Sequence, residues 1–261
     1  MWQQKIWHIF QFFRYKIYAK HRKGHGVHSP FVFAFITDIL EEKQPYYCFE
    51  EIEKTRQLLC QNNQKIFVDD FGTGRSNHRK ISSIARKSLK SKKFAQLIFR
   101  IIAFYKPTTI IELGTSLGIT SSYIASANKQ AKVFSFEGST EIAKIAKNNM
   151  DTLHLSNISI ITGDITTQLP LFLANSAQID MIFFDANHKK EPTLSYFNMC
   201  MDKIGKKALF IFDDIYWSKE MKEAWEEICA DTRIQVSIDL FSIGIVFIDP
   251  ELKKKHYTIY Y

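Results

Sequence analysis

Glu112, Gly114 and Gly118 fall in the string IIELGTSLGIT, residues 110–120, an apolar run that ends in an acid, turns on glycine and enters a helix. Without a Cβ, Gly114 can take positive φ and bring the backbone against a ligand, and Gly118 lets the following helix pack close to the strand. Thr115 and Ser116 complete the turn, which suits a small charged cofactor. Its spacing excludes two nucleotide chemistries. A nicotinamide fingerprint needs glycine at the first, third and sixth places of GxGxxG, and counting from Gly114 those places hold Gly114, Ser116 and Ile119. A phosphate loop needs Gly-Lys followed by Ser or Thr, a string the chain does not contain.

Glu-x-Gly-x-x-x-Gly is the spacing that fits. A second strand, Lys132 to Phe136, ends in Glu137-Gly138, where a carboxylate at the strand tip can accept hydrogen bonds from both hydroxyls of a ribose. A third, Ile158 to Ile161, runs into Thr162-Gly163-Asp164-Ile165 and sets another acid where an adenine would lie. With these motifs, residues 106–249 resemble the class I S-adenosylmethionine-dependent methyltransferases. The resemblance implies a cofactor-binding set of Glu112, Gly114, Thr115, Ser116, Gly118, Glu137, Gly138, Asp164, Ile165 and Asp185. In it the glycines flank the methionine part, Glu112 orients the amino group, Glu137 binds ribose and Asp164 lies near adenine. A second acid-plus-glycine string, VDDFGTGRS at Val68 to Ser76, has no carboxylate between Asp70 and Glu112 to serve as a ribose partner, so it reads as a turn or loop.

The elements that must position these residues alternate. After an amphipathic helix, Phe94 to Tyr105, and the Lys106-Pro107 break, strands are expected at Thr109 to Leu113, Lys132 to Phe136, Ile158 to Ile161, Ile179 to Phe184, Lys207 to Phe212, Gln235 to Leu240 and Ile243 to Ile248. Helical stretches separate the first six, at Thr120 to Asn128, Glu141 to Met150, weakly near Leu169 to Leu173, Thr193 to Cys200 and Lys219 to Cys229. Such alternation implies an α/β, doubly wound, mainly parallel sheet covered on both faces. The last two strands, parted only by Phe241-Ser242, must form an antiparallel hairpin. The resemblance gives the same seven-stranded arrangement. The expected division is a basic, mainly helical extension, 1–106, and a cofactor-binding domain, 107–261.

Chemistry in open parallel sheets gathers beyond the carboxyl ends of the strands, where Asp185 and Asp213-Asp214 lie. Were those strands neighbours, as in the resembled family, the three carboxylates would converge and repel unless a cation neutralised them, and oxygen-only ligands favour Mg2+. The pattern is similar to the metal-dependent catechol-type O-methyltransferases, which implies Asp185, Asp213 and Asp214 as metal ligands. Asp214 stands where that group has asparagine, and Asp185-Ala186-Asn187-His188 instead resembles a neighbouring group with Asp-Gly-x-His. His188 or Lys189 is then the candidate general base for an acceptor hydroxyl. The structural alternative is that the acids cap loops or helices and His188 lies on the surface.

Composition bounds the rest. The chain has 261 residues, 46% of them hydrophobic, enough for a substantial core. Its net charge of +8 is uneven. Residues 1–30 hold six Lys or Arg and no acid and residues 71–106 hold ten and no acid, leaving 19 bases against 27 acids elsewhere. That front favours an anionic partner. At about 100° per residue, Trp2, Ile6, Ile9, Phe10, Phe13 and Ile17 share one stripe and Gln4, His8, Gln11 and Arg14 the far side. Such a helix either docks on the domain over the cofactor or substrate pocket, lies in a lipid headgroup layer as a peripheral membrane contact through residues 1–20, or makes a homodimer or RNA contact. His21, His25 and His28 sit in a glycine-rich loop that resembles an N-terminal signature of a group of bacterial methyltransferases, and the basic run Arg79 to Lys93 reads as a solvated helix face.

Cys48, Cys60, Cys200 and Cys229 form no metal or redox spacing and are expected to be buried free thiols. No spanning run or secretory cleavage site is apparent, so a cytoplasmic location, with or without contact to the inner face of the membrane, is the expectation. The function expected is O-methylation of a small or lipid-like acceptor. An RNA or protein N-methyltransferase, against which the FDAN string at the fourth strand counts, and a non-catalytic cofactor-binding membrane-associated protein are the alternatives.

Overall fold

The computed structural model describes residues 2–69, 76–176 and 178–261. Most of the VDDFGTGRS turn lies outside them. In chain order the elements are α1 (Trp2–Tyr18), α2 (Pro30–Ala34), α3 (Phe49–Gln61), β1 (Lys65–Val68), β2 (Asn77–Lys80), α4 (Ile81–Ser88) and α5 (Lys92–Tyr105). Then come β3 (Thr109–Leu113), α6 (Ile119–Ala127), β4 (Lys132–Glu137), α7 (Thr140–Thr152), β5 (Ile158–Thr162), α8 (Ile165–Asn175) and β6 (Ile179–Phe184). The chain ends with α9 (Lys190–Met201), β7 (Ile204–Asp213), α10 (Lys219–Ala230), β8 (Val236–Asp239), β9 (Ile243–Ile248) and β10 (Lys255–Thr258).

All seven expected strands form. Two compact units divide the chain, residues 43–175 and residues 1–42 with 176–261, so the contacts do not part at position 106. In the first, β3, β4 and β5 are parallel neighbours in that order, and β1 and β2 form a separate antiparallel pair. Four of the five residues of β3 are fully apolar-buried or sealed in, the pattern of a strand covered on both faces. Its helices share a core in which Phe49 of α3, Phe99 of α5 and Tyr123 of α6 meet. The basic run Arg79 to Lys93 becomes the end of β2, all of α4 and the start of α5; Ile81, Ile84 and Ala85 turn inward and the charges outward.

In the second unit the strand order is β10-β8-β9-β7-β6. β6 and β7 are parallel, β7, β9 and β8 are successively antiparallel, and β10 adds parallel to β8. The β8–β9 hairpin matches the expectation, whereas β10 carries no apolar alternation strong enough to announce it: three of its four residues are partly or fully exposed. Among the described residues the cysteines are free, Cys48 and Cys200 buried and Cys60 and Cys229 half-buried. The histidine loop is a short 3-10 turn, Arg22–Gly24, followed by Ser29 accepting the N–H of Val32 to cap α2.

α1 docks on its own unit, but with the face opposite to the apolar stripe. Gln11 and Tyr15 are the buried positions, at 7% and 5% exposure, and His8, Phe12 and Tyr15 pack their rings against Phe241 at 5.1 to 5.3 Å. Tyr15 Oη donates to the carbonyl of Ile259 at 2.6 Å and accepts the N–H of Tyr261 at 3.1 Å, and Gln4 donates to the carbonyl of Trp217. A bridge between Lys20 and Ile259 completes the strap. Directional partners thus fix which side turns inward, and Trp2, Ile6, Ile9, Phe10, Phe13 and Ile17 remain exposed. No helix among the described residues is long and apolar enough to cross a membrane.

Candidate functional site

The glycine turn between β3 and α6 takes the backbone shape its sequence demands. Gly114 and Gly118 have φ of 106° and 81°, and Ser116 between them is also left-handed at 48°. A Cβ on Gly118 would lie 3.1 Å from the Cβ of Ala146 and 3.2 Å from Cε of Met150, so α7 approaches as closely as only glycine permits. Asn149 of α7 donates to the carbonyl of Leu117 and holds the turn against it.

Glu137, at the tip of β4, is oriented by this turn. Its Oε2 accepts the N–H of Ser116 at 2.8 Å and its Oε1 the N–H of Ser139 at 2.9 Å, which spans Gly138. A carboxylate oxygen carries more than one lone pair, the capacity that a ribose contact would need. Asp164 starts α8: its Oδ1 accepts the N–H of Thr166 and its Oδ2 the Thr166 hydroxyl, with Ile165 buried behind it. The acid expected beside adenine is therefore a helix cap as well.

Glu112 is fully buried. Oε2 accepts from Ser121 of α6 and, at 2.5 Å, from Ser135 of β4, whose hydroxyl is also 2.5 Å from that of Thr115. Oε1 is buried with no hydrogen-bond partner, as is the hydroxyl of Ser139. Burial pushes the Glu112 carboxyl up to about 7; the two serine hydroxyls act against the rise and the charge of Glu137 adds to it. An orphaned, buried carboxylate oxygen next to a glycine turn is what a cationic amino group would satisfy. The residues of this cradle therefore fit S-adenosylmethionine: Glu112 for its ammonium, the turn for its methionine part and Glu137 for its ribose. Ser121, Ser135 and Ser139 were not singled out in the sequence, where isolated serines carry no signal.

The other expected residues lie in the second unit. Asp185 follows β6, with Oδ1 3.5 Å from Nε2 of His188. Asn187 and His188 both have positive φ, 63° and 29°, strain of the kind that gathers at functional sites. The N–H of His188 bonds the carbonyl of Ala186, and Asn187 donates to the hydroxyl of Tyr196 at 2.8 Å. The exposed indole of Trp217 lies 6.5 Å from the His188 ring. Tyr216 stacks on Phe241 and donates to Asp239, which makes it a packing residue. Lys189 is an exposed residue at the head of α9.

Asp185, Asp213 and Asp214, expected as a metal-ligand set, do not gather into one. Among the described residues no three His, Cys, Asp or Glu side chains are grouped to hold an ion. Asp213 is a buried strand residue, while Asp214 leaves β7 in a left-handed turn, φ 51°, with its N–H on the carbonyl of Ser242. Successive positions at a strand end point apart, and the turn widens that divergence. These three acids alone do not make a metal-ligand group.

Comparison with known proteins shows what the chain is similar to. Residues 111–215 match the model of a methyltransferase domain. No curated protein matches the chain significantly. Among solved structures, an O-methyltransferase from Bacillus cereus in complex with SAH superimposes with a TM-score of 0.58 at 16% identity, covering 84% of this chain and 96% of that one. TomG, the O-methyltransferase from Streptomyces achromogenes involved in tomaymycin synthesis and solved with SAM, gives 0.56 at 12% identity over 84% and 95%. The SAH-bound methyltransferase PaMTH1 of Podospora anserina gives 0.56 at 14% identity over 78% and 97%. At these identities the likeness is one of fold, and the fold is that of the class I methyltransferases.

Proposed function

From a methyltransferase domain at residues 111–215 on a class I fold, we propose that the protein is an S-adenosylmethionine-dependent O-methyltransferase acting on a small or lipid-like hydroxyl acceptor. The observation that carries the reading is the buried Glu112 carboxylate with one oxygen left unsatisfied behind a glycine turn of the right spacing.

When bound, S-adenosylmethionine supplies a methyl group made electrophilic by its sulfonium. The work assigned to the chain is alignment and proton handling. Glu112 would accept from the cofactor's ammonium and Glu137 from its ribose, with the Glu112 side chain held by the hydroxyls of Ser121 and Ser135. His188 would take the proton of an acceptor hydroxyl that receives the methyl group. The Asp185 carboxylate, 3.5 Å from Nε2, stabilises the imidazolium so formed. The solved neighbours with SAM or SAH support the cofactor, and those named O-methyltransferases support the choice of oxygen.

Calorimetry with S-adenosylmethionine and S-adenosylhomocysteine on the purified chain tests the cofactor. Transfer of a tritiated methyl group into fractionated lipids, small molecules and RNA tests the acceptor. Binding of neither nucleoside at millimolar concentration would end the proposal; label in RNA alone would replace the acceptor class.

A further inference from the structure

α1 is amphipathic the wrong way round for a helix that merely packs on a domain. Its inward side is Gln4, His8, Gln11 and Tyr15, and its outward side Trp2, Ile6, Ile9, Phe10, Phe13 and Ile17. Trp2 is 82% exposed, Ile17 75% and Phe10 63%. Six large apolar side chains in one stripe on a 17-residue helix are a contiguous hydrophobic surface, not scattered exceptions. The helix is held in that orientation by hydrogen bonds from Gln4 and Tyr15 and by the ring of Phe241, so the outward stripe is a fixed feature of the surface.

Charge identifies what covers it. At about 100° per residue Lys5 and Lys16 border the stripe on one side, and Arg14 lies past its other edge, where the far side begins. Lys20, Arg22 and Lys23 follow directly, and no acid occurs before Asp38. A second copy would bring two such basic borders together and repel. A bilayer with anionic headgroups accepts both parts at once, apolar side chains below the headgroups and bases among the phosphates. Trp2, near the helix start and exposed on the stripe, has an amphipathic ring of the kind that favours that interface.

We propose that the outward face of α1 is a docking surface for an anionic phospholipid membrane and that the protein is held there peripherally, with α1 in the plane of the surface. This goes beyond the catalytic reading and stands without it.

Flotation of the full chain with vesicles tests it, comparing phosphatidylcholine alone with about equal parts phosphatidylcholine and phosphatidylglycerol. Co-flotation with the anionic vesicles is expected, weakening at about 0.5 M salt where charges are screened within a few ångströms. Ile9→Glu/Phe13→Glu is expected to lower binding at least about tenfold, since burial of each such side chain is worth more than that factor. Ile6→Asn/Phe10→Asn should act alike, and Lys5→Glu/Arg14→Glu should remove the preference for anionic lipid. All six positions are exposed, so unchanged circular dichroism and melting temperature show that the variants fold. Failure to float with anionic vesicles, or flotation that both apolar variants leave intact, would overturn the proposal. So would a dimer in sedimentation that the same variants convert to monomer, or binding of an RNA oligonucleotide that depends on the stripe.

Discussion

Glu112 and Ser135 are directly paired residues on neighbouring parallel strands, and the serine hydroxyl donates to Oε2 of the glutamate at 2.5 Å. Register alone brings them together: the same pairing puts Leu113 beside Phe136, so the last buried positions of β3 and β4 close over the carboxylate before the chain turns at Gly114. One oxygen is thereby satisfied inside the protein and the other is kept for a ligand.

A carboxyl raised to about 7 by burial binds a cationic amino group in its ionised form. Affinity for S-adenosylmethionine should therefore fall about tenfold per pH unit below about 7 and level off above it. Glu112→Gln should bind at least about tenfold more weakly at pH 8 and show a flatter profile. Calorimetry from pH 5.5 to 8 reads both, and parallel profiles for the two proteins would remove Glu112 from the ammonium.

The same shift sets a stability trend in the ligand-free protein. The carboxyl is about 7 when folded against 4.5 as its ordinary value, so the folded state binds the proton more tightly. Its contribution is fully present below about 4.5, declines as pH rises towards about 7 and is flat beyond, for a total of roughly 3 kcal/mol. Glu112→Gln should raise the melting temperature relative to the parent more at pH 8 than at pH 5.

Gly118→Ala meets two obstacles, a left-handed φ of 81° and a Cβ within 3.1 to 3.2 Å of Ala146 and Met150. A loss of about 1 to 3 kcal/mol in denaturant unfolding is expected, with weakened cofactor binding as α7 is pushed from the turn. A variant of parental stability would show that the turn yields freely.

His188→Gln should lower kcat about a hundredfold and leave the cofactor dissociation constant unchanged. Asp185→Asn should cost less, about tenfold, since it removes support for the imidazolium and not the base itself. Equal losses in cofactor binding would instead mark both as structural.

Chelator should leave methyl transfer within about twofold of its original rate, because Asp185, Asp213 and Asp214 do not converge. Abolition of turnover by EDTA, with rescue by Mg2+, would mean that these acids regroup around an ion.

The cradle was legible where chemistry restricts the residue type. Positive φ singles out Gly114 and Gly118, and a strand-end acid singles out Glu137, whatever the rest of the chain does. The serines around Glu112 were illegible because their role depends on register and helix rotation, 9 and 23 positions away in sequence. Periodicity in α1 gave the grouping of Trp2, Ile6, Ile9, Phe10, Phe13 and Ile17 but not which side faces inward. That was decided by Phe241 and the carbonyl of Ile259, at the far end of the chain. β10 was missed because KHYT is mostly polar and exposed, and it forms by adding to an existing edge of β8. Convergence of the strand-end acids was an expectation about side-chain direction, which sequence alone does not carry.

Phe241, itself left-handed at φ 69°, is gripped on one side by three rings of α1 and on another by Tyr216, while Gln4 holds the backbone of Trp217. The N-terminal helix thus reaches the turn after β7 at two points, and the indole of one of them, Trp217, lies 6.5 Å from the His188 ring.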